Sequence, residues 1–456
     1  MAMWKSIFCE RALLPHGWSD NVRITTGSDG KITAVECNSS PIANEDKASG
    51  PVLPTLSNLH SHAFQRAMAG LAEVAGSSND SFWTWRTLMY RVVSKLLPED
   101  IETVATKLYS ELLKGGFGRV VEFHYLHHSE NGIPYSDPGE NSLRILQAAK
   151  TTGIGLTHLP VFYAHSGFGG AEPTEGQRPF IHSTEAFLAL HDRLRRPFNE
   201  AGAVLGAAIH SLRAATPEEM RILLDAGLGQ GPLHIHVAEQ QKEVDDCIAW
   251  SGRRPVEWLL DEMPVNNQWC AIHATQMTHE ETVRLARTGA VAGLCPATEA
   301  NLGDGIFPGT DFLAAGGMVG IGTDSHVATS VSEELRLLEY SQRLRDCQRN
   351  RLVSGAGASV GRTIFDASLS GGARASGVET VGIRVGAQAD LVVLDGSSPF
   401  ISTAIGDQIL DRWLFALGPE TVRDVMVAGQ WVIRDRRHER DEEIDHAFQQ
   451  VLRKLT

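Results

Sequence analysis

The sequence predicts an α/β protein: a (β/α)8 TIM-like barrel carrying a small composite β-domain drawn from both chain ends. Three observations predict it. Short apolar, β-branched runs occur at 52–59, 119–125, 155–162, 203–209, 232–237, 269–273, 290–294 and 318–322. Segments of helical period lie between several of them, and strands alternating with helices mean parallel strands joined by crossover helices. Eight such strands fit a closed barrel better than an open doubly wound sheet, and no G-x-G-x-x-G follows the first run to suggest a dinucleotide fold. Both chain ends, in contrast, read as hairpins.

The N-terminal hairpin comprises 21–26 and 31–37, which alternate apolar and polar residues around the turn Gly27-Ser28-Asp29-Gly30. The C-terminal part supplies the short apolar strand Ala389-Asp390-Leu391-Val392-Val393-Leu394-Asp395 and a hairpin, 422–427 and 431–433, around Ala428-Gly429-Gln430. These ends are expected to pair, which divides the chain into 1–51, a barrel over 52–380, and 381–456 with a terminal helix. Within the barrel, Ile101, Val104, Ala105, Leu108 and Leu112 make one apolar helix face, with Pro98 before it and Gly115-Gly116 after it. Thr216-Pro217-Glu218-Glu219 and Thr278-His279-Glu280-Glu281 are capping boxes that open two further helices, and Gly289 can end the second.

Bulk properties exclude several classes. The 456 residues are 42% hydrophobic and 21% charged, with a net charge of −14. Such an acidic surface repels phosphate backbones, so nucleic acid is not an expected partner, and an anionic substrate must be met by local cations. No apolar run approaches a membrane span, and the first residues lack the pattern of a secretory signal. Cys9, Cys37, Cys247, Cys270, Cys295 and Cys347 form no C-x-x-C pair and read as reduced thiols of a cytoplasmic protein.

The active face of a barrel is formed by the C-terminal ends of its strands. His60 and His62 end the first run two residues apart, so both imidazoles point the same way. His236 lies near the end of the fifth and Asp324 ends the eighth. An H-x-H alone is weak, but three imidazoles and a carboxylate at the ends of strands one, five and eight suit one zinc ion per chain, with a position left for water. His234, on the same face and deeper, reads as a support residue. Glu239, just past strand five, is placed to take a proton from water and pass it to a leaving nitrogen; the plainer reading is a surface glutamate opening a helix. His273, ending strand six, can stabilise a tetrahedral centre, or simply be a satisfied barrel histidine. Strand four ends Ile209-His210-Ser211-Leu212-Arg213 without the lysine that bridges two ions in many barrels, so one metal is the simpler reading.

The runs Asn58-Leu59-His60-Ser61-His62-Ala63-Phe64-Gln65-Arg66-Ala67-Met68-Ala69-Gly70 and His234-Ile235-His236-Val237-Ala238-Glu239-Gln240 resemble the amidohydrolase superfamily in its mononuclear deaminase branch, and more narrowly the formimidoylglutamate deiminase family. The likeness covers nearly the whole chain; the run 385–394 is similar to the superfamily's return strand. It implies hydrolysis of N-formimidoyl-L-glutamate to N-formyl-L-glutamate and ammonia, in histidine degradation, by a homodimer. It also implies that Gln65 in the first loop, Arg86 in the long loop after it, Tyr125 ending strand two, and His210 and Arg213 ending strand four hold this dicarboxylate. Arginine binds carboxylate bidentately, in agreement, although either arginine alone could be a surface ion pair. Trp83 and Trp85 read as loop packing, His127 and His128 as exposed loop residues, and His326 lies close enough to Asp324 to be near the site. Two alternatives stand beside this reading. An aminohydrolase of a purine, pyrimidine or triazine ring would share the core but stack its substrate on aromatic residues. A non-catalytic scaffold would have no need of the metal set with Glu239 and His273.

Overall fold

A computed structural model describes residues 5–43, 45–74 and 82–455, without the side chains of 82–84. The barrel consists of eight parallel strands: Leu56–Ser61, Phe117–His124, Gly155–Phe162, Ala207–Ser211, Leu233–Val237, Trp269–His273, Val291–Leu294 and Met318–Ile321. We number these barrel strands one to eight. Strands five and six are buried at every position, as expected of strands covered by helices outside and by packed side chains within. The ring closes through the backbone after strand eight: Thr323 and Asp324 nitrogens donate to the His60 carbonyl, and the Asp324 carbonyl accepts from His62. Gly322 is required there, because a Cβ would stand 2.8 Å from the His60 nitrogen.

The second sheet runs in the order Gln430–Ile433, Val422–Val427, Leu391–Leu394, Val52–Pro54, Lys5–Leu14, Gly17–Thr26, Ile32–Glu36, with Asp46–Lys47 also on Lys5–Leu14. Both chain ends thus build one β-domain with its own small core of Ile7, Cys9, Val22, Ile24, Val393 and Met426. The structure departs from expectation at three strands. The apolar run 52–59 is two strands: Val52–Pro54 pairs with Leu391–Leu394 in the small sheet, and only Leu56–Ser61 enters the barrel. Strand four begins at Ala207, because 204–205 forms a separate short pairing on strand three. The long strand Lys5–Leu14 was not singled out in the sequence; its burial pattern follows no simple alternation.

The helical expectations hold. The helix Pro98–Lys114 has proline at its start and Gly115 as its C-cap. Helices Pro217–Asp225 and His279–Thr288 each open with the expected threonine–glutamate box, and Gly289 ends the second in the left-handed region with φ 79°. Among the described residues no helix is long and apolar enough to cross a membrane.

Candidate active site

The ends of strands one, five and eight bring His60, His62, His236 and Asp324 together. His60 Nε2 lies 3.1 Å from His62 Nε2 and 3.0 Å from His236 Nε2. Asp324 Oδ1 lies 3.2 Å from His62 Nε2 and 3.5 Å from His60 Nε2. Ligands about 2.0–2.1 Å from a tetrahedral zinc are separated by about 3.3 Å, so these edges have the length a metal site requires. The hydrogen bonding strengthens the fit. His62 Nδ1 lies 2.9 Å from the Phe123 carbonyl oxygen, which can only accept. Nδ1 therefore carries the proton of neutral His62, and its Nε2 turns a bare lone pair to the Asp324 carboxylate. Two buried acceptors 3.2 Å apart call for a cation between them. This anchoring of a ligating imidazole through its other nitrogen is the usual outer-shell arrangement of metal sites.

Backbone geometry aims the loops. Ala238, His273 and Asp324 have φ of 50°, 68° and 47°, a left-handed conformation that side-chain-bearing residues adopt only when surroundings impose it. At Ala238 the imposing group is Glu243: its buried carboxylate accepts from the backbone nitrogens of Ala238 and Glu239, each at 3.1 Å. Thr275 Oγ1 donates to the Glu239 carbonyl at 2.7 Å. The Glu239 side chain faces His273 Nε2 at 3.8 Å. Burial pushes its carboxyl up to about 7, with the His273 charge acting in the opposite sense. For His273, burial favours the neutral ring, but Glu239, Glu299 and Asp324 outweigh it and raise it to about 10. Its Nδ1 lies 3.3 Å from Glu299 Oε1, which turns Nε2 toward the site. Burial acts to raise the Asp324 carboxyl, but the His60 and His62 rings beside it outweigh that and hold it well below the usual carboxylate range.

Beneath the ligands runs a buried polar network. Glu122, in strand two, accepts from Ser61 Oγ at 2.6 Å, from the Ala63 nitrogen at 2.7 Å and from the Tyr109 hydroxyl at 3.1 Å. It grips the chain on either side of His62. Asn58 Oδ1 accepts from the Thr323 nitrogen and its Nδ2 donates to Thr323 Oγ1, which in turn lies 2.8 Å from His326 Nδ1. His326 thus belongs to the support beneath the site. His234 is also a support residue, its Nε2 2.8 Å from the Ala375 carbonyl oxygen. Sequence reasoning missed Glu122, Glu243 and Glu299; a carboxylate inside the apolar run Val120-Val121-Glu122-Phe123 was the available signal for the first.

Above the metal ligands is a cavity with an empty volume of about 560 Å³, within the range of small-molecule sites. Of the candidate catalytic, metal-ligating and substrate-binding residues, all but His60 line it. Gln65 sits on a short 3-10 turn, Ala63–Met68, and donates through Nε2 to the Tyr125 hydroxyl at 2.9 Å. Arg86 stands on the helix Phe82–Val93, not in a loop, with its guanidinium 5.8 Å from the Tyr90 ring. Arg213 follows strand four and is buried; His210, within that strand, packs its ring 4.4 Å from that of Tyr163. Trp85 also lines the cavity, and Trp83's side chain lies outside the described residues. His127 and His128 correct the sequence reading: both are buried, 2% and 7% exposed, with their Nε2 atoms 3.0 Å from the Val161 and Ile181 carbonyl oxygens. Tyr90, Tyr163 and Phe180, together with Met89 and Leu302, complete the lining and carry no sequence signal of their own.

A barrel with this site defines a class, and comparison with known proteins agrees. Residues 52–432 match the amidohydrolase family, and residues 4–49 match the N-terminal domain of formimidoylglutamate deiminase HutF. The chain belongs to the amidohydrolase family. It is 58% identical over 453 residues, 99% of both chains, to the formimidoylglutamate deiminase of Pseudomonas aeruginosa. It is 27% identical to the 8-oxoguanine deaminase of the same organism, over 87% of this chain and 85% of that one. A crystal structure of an amidohydrolase from Brucella melitensis, 50% identical and covering 99% of each chain, superposes with a TM-score of 0.95. An adenosine deaminase from Xanthomonas campestris with bound zinc shares the fold at 22% identity, with 99% and 98% of the chains covered and a TM-score of 0.82.

Proposed function

We propose that the protein hydrolyses N-formimidoyl-L-glutamate to N-formyl-L-glutamate and ammonia, as a step of histidine degradation. The observation that carries this is the joining of two arginines and a metal-type donor set in one cavity, in a chain 58% identical to a formimidoylglutamate deiminase. We assign His60, His62, His236 and Asp324 to one zinc ion per chain. Bound there, the ion supplies the acidity that makes water a nucleophile near neutral pH. Arg86 and Arg213, with Gln65, Tyr125 and His210, hold the two carboxylates and turn the formimidoyl carbon toward the ligand cluster. As water attacks that carbon, Glu239 takes its proton. Glu239 passes that proton to the terminal nitrogen and then carries the remaining hydroxyl proton to the same nitrogen, so that the C–N bond breaks with the nitrogen leaving as ammonia and the oxygen becoming the formyl carbonyl. His273, oriented by Glu299, stabilises the charge on the former water oxygen.

The ring-aminohydrolase reading has one observation in its favour: Trp85, Tyr90, Tyr125, Tyr163 and Phe180 all line the cavity. Their rings are largely engaged with one another, Tyr125 meeting Phe180 edge-on at 5.0 Å, and the arginines have no task on a neutral ring. Ammonia release from N-formimidoyl-L-glutamate, compared with adenine, guanine and cytosine compounds, decides between them; faster turnover of any ring substrate overturns the proposal. Metal analysis is expected to give about one equivalent per chain. A homodimer in the cytoplasm follows from the resemblance, and light scattering checks the mass.

A further inference from the structure

The cavity wall is backed by a hydrogen-bonded lock that the mechanism above does not use. It begins at Thr174, the cap of a short 3-10 turn, Glu175–Phe180. The Thr174 backbone nitrogen, which can only donate, reaches Gln177 Oε1 at 2.8 Å, and Thr174 Oγ1 reaches the same atom at 2.9 Å. This fixes which end of the buried amide is oxygen. Gln177 Nε2 is therefore the end that contacts Tyr163, at 2.7 Å, and it must donate to the phenol oxygen. With that oxygen accepting from Gln177, the Tyr163 O–H hydrogen has to be directed elsewhere. Tyr163 lines the cavity beside Arg86, Arg213 and Tyr90. The turn itself is pressed onto the cavity wall: a Cβ on Gly176 would stand 2.6 Å from the Tyr90 ring, so this approach needs glycine.

We propose that Tyr163, oriented by Gln177, donates its hydroxyl hydrogen to a substrate carboxylate and is a further determinant of specificity for a dicarboxylate. The inference rests on the substrate reading given above. Gln177 is a positioning residue: it touches Tyr163, and it sets the polarity of the hydroxyl that meets the substrate. The arrangement is economical in a protein of net charge −14, because a phenol held as a donor adds anion affinity without another buried cation.

The test uses the metal-loaded protein with N-formimidoyl-L-glutamate and two analogues, each with one carboxylate replaced by carboxamide. Tyr163→Phe keeps the ring and removes the donor. A hydrogen bond to a charged group converts to a loss of about ten- to a hundredfold, expected in KM for the diacid, with kcat within about threefold and metal content unchanged. The penalty should nearly vanish on one of the two analogues, which identifies the carboxylate concerned. Gln177→Glu preserves the cap, since glutamate accepts from Thr174 equally well, but it must accept from Tyr163 and so turns the hydroxyl away from the substrate. It is expected to raise KM like Tyr163→Phe, and to add little once Tyr163 is already phenylalanine. Tyr163→Phe within about twofold of the parent on the diacid, or an equal loss on all three compounds, overturns the assignment. A parent protein inactive on the diacid overturns the substrate reading itself, and the proposal with it.

Discussion

Glu239 combines two properties a proton carrier needs. It faces His273 across 3.8 Å at the cavity wall, and burial lifts its carboxyl to about 7, close to the pH at which it must both accept and return a proton. Glu239→Gln keeps the shape and removes that capacity. The variant should retain its metal and lose about 10²–10⁴-fold in kcat; activity within a few-fold of the parent would assign the proton to another group. The arginines act on binding. Arg213 is buried, and leaving a desolvated carboxylate without such a partner costs roughly 3–5 kcal/mol, which is about two to nearly four powers of ten in kcat/KM. Arg213→Met should show a loss of this order toward the dicarboxylate with metal content intact. Arg86 is only partly buried, so Arg86→Met should show a smaller loss, because water screens part of the uncompensated charge.

The loop after strand five shows how an element sets a residue's geometry. Ala238 takes a φ of 50° because Glu243, in the first turn of the helix Gln241–Ser251, collects both the Ala238 and the Glu239 nitrogens. Replacing one oxygen by an amide nitrogen puts a donor against a donor. Glu243→Gln should therefore lower kcat about tenfold while metal content stays at the parent level; an unchanged kcat would show that the loop holds Glu239 without it. Strand ends of this kind were legible in the sequence only in part. His60, His62, His236 and Asp324 stood out because they close apolar runs, and the Thr216 and Thr278 boxes because capping chemistry is local. The left-handed residues did not stand out, since no glycine marks Ala238, His273 or Asp324 and the strain is imposed from other elements. The run 52–59 hid a change of sheet at Thr55, because both of its strands are apolar. Arg86 was read as a loop residue, although it stands on the helix Phe82–Val93. The sequence places His127 and His128 in a loop and gives no sign that the turn Glu175–Phe180 and the residues after it cover them.

At the scale of the whole molecule, the distribution of buried histidines governs its behaviour in acid. His124, His127, His128, His158 and His182 cluster around strands two and three, with ring centroids 5.2 Å apart for His124 and His158 and 4.5 Å for His127 and His182. Burial holds them neutral: His124 and His182 are pushed down to about 3, and His127 and His158 lie well below 6.5. The sign of the linkage follows. Below about 6.5 the unfolded chain binds protons at these rings that the folded chain does not, so stability is fully present above that pH and falls as the pH drops from about 6.5 toward about 3. Each such ring contributes at most about 1.4 kcal/mol per pH unit. His158 isolates the effect. It stacks on Phe198 with centroids 4.8 Å apart, and neither of its nitrogens finds a hydrogen-bond partner among the described residues. His158→Leu removes one titrating ring and two unpaired polar atoms at similar volume. Guanidinium unfolding with saturating metal should find this variant at least as stable as the parent at pH 8. Its stability should then decline less steeply between pH 6.5 and pH 4.5, by up to about 1.4 kcal/mol per unit. Metal release on acidification affects both proteins alike and cancels in the difference. Parallel pH profiles for the two would mean that His158 is protonated as readily in the folded barrel as in the unfolded chain, and the account of acid lability would then pass to the metal ligands.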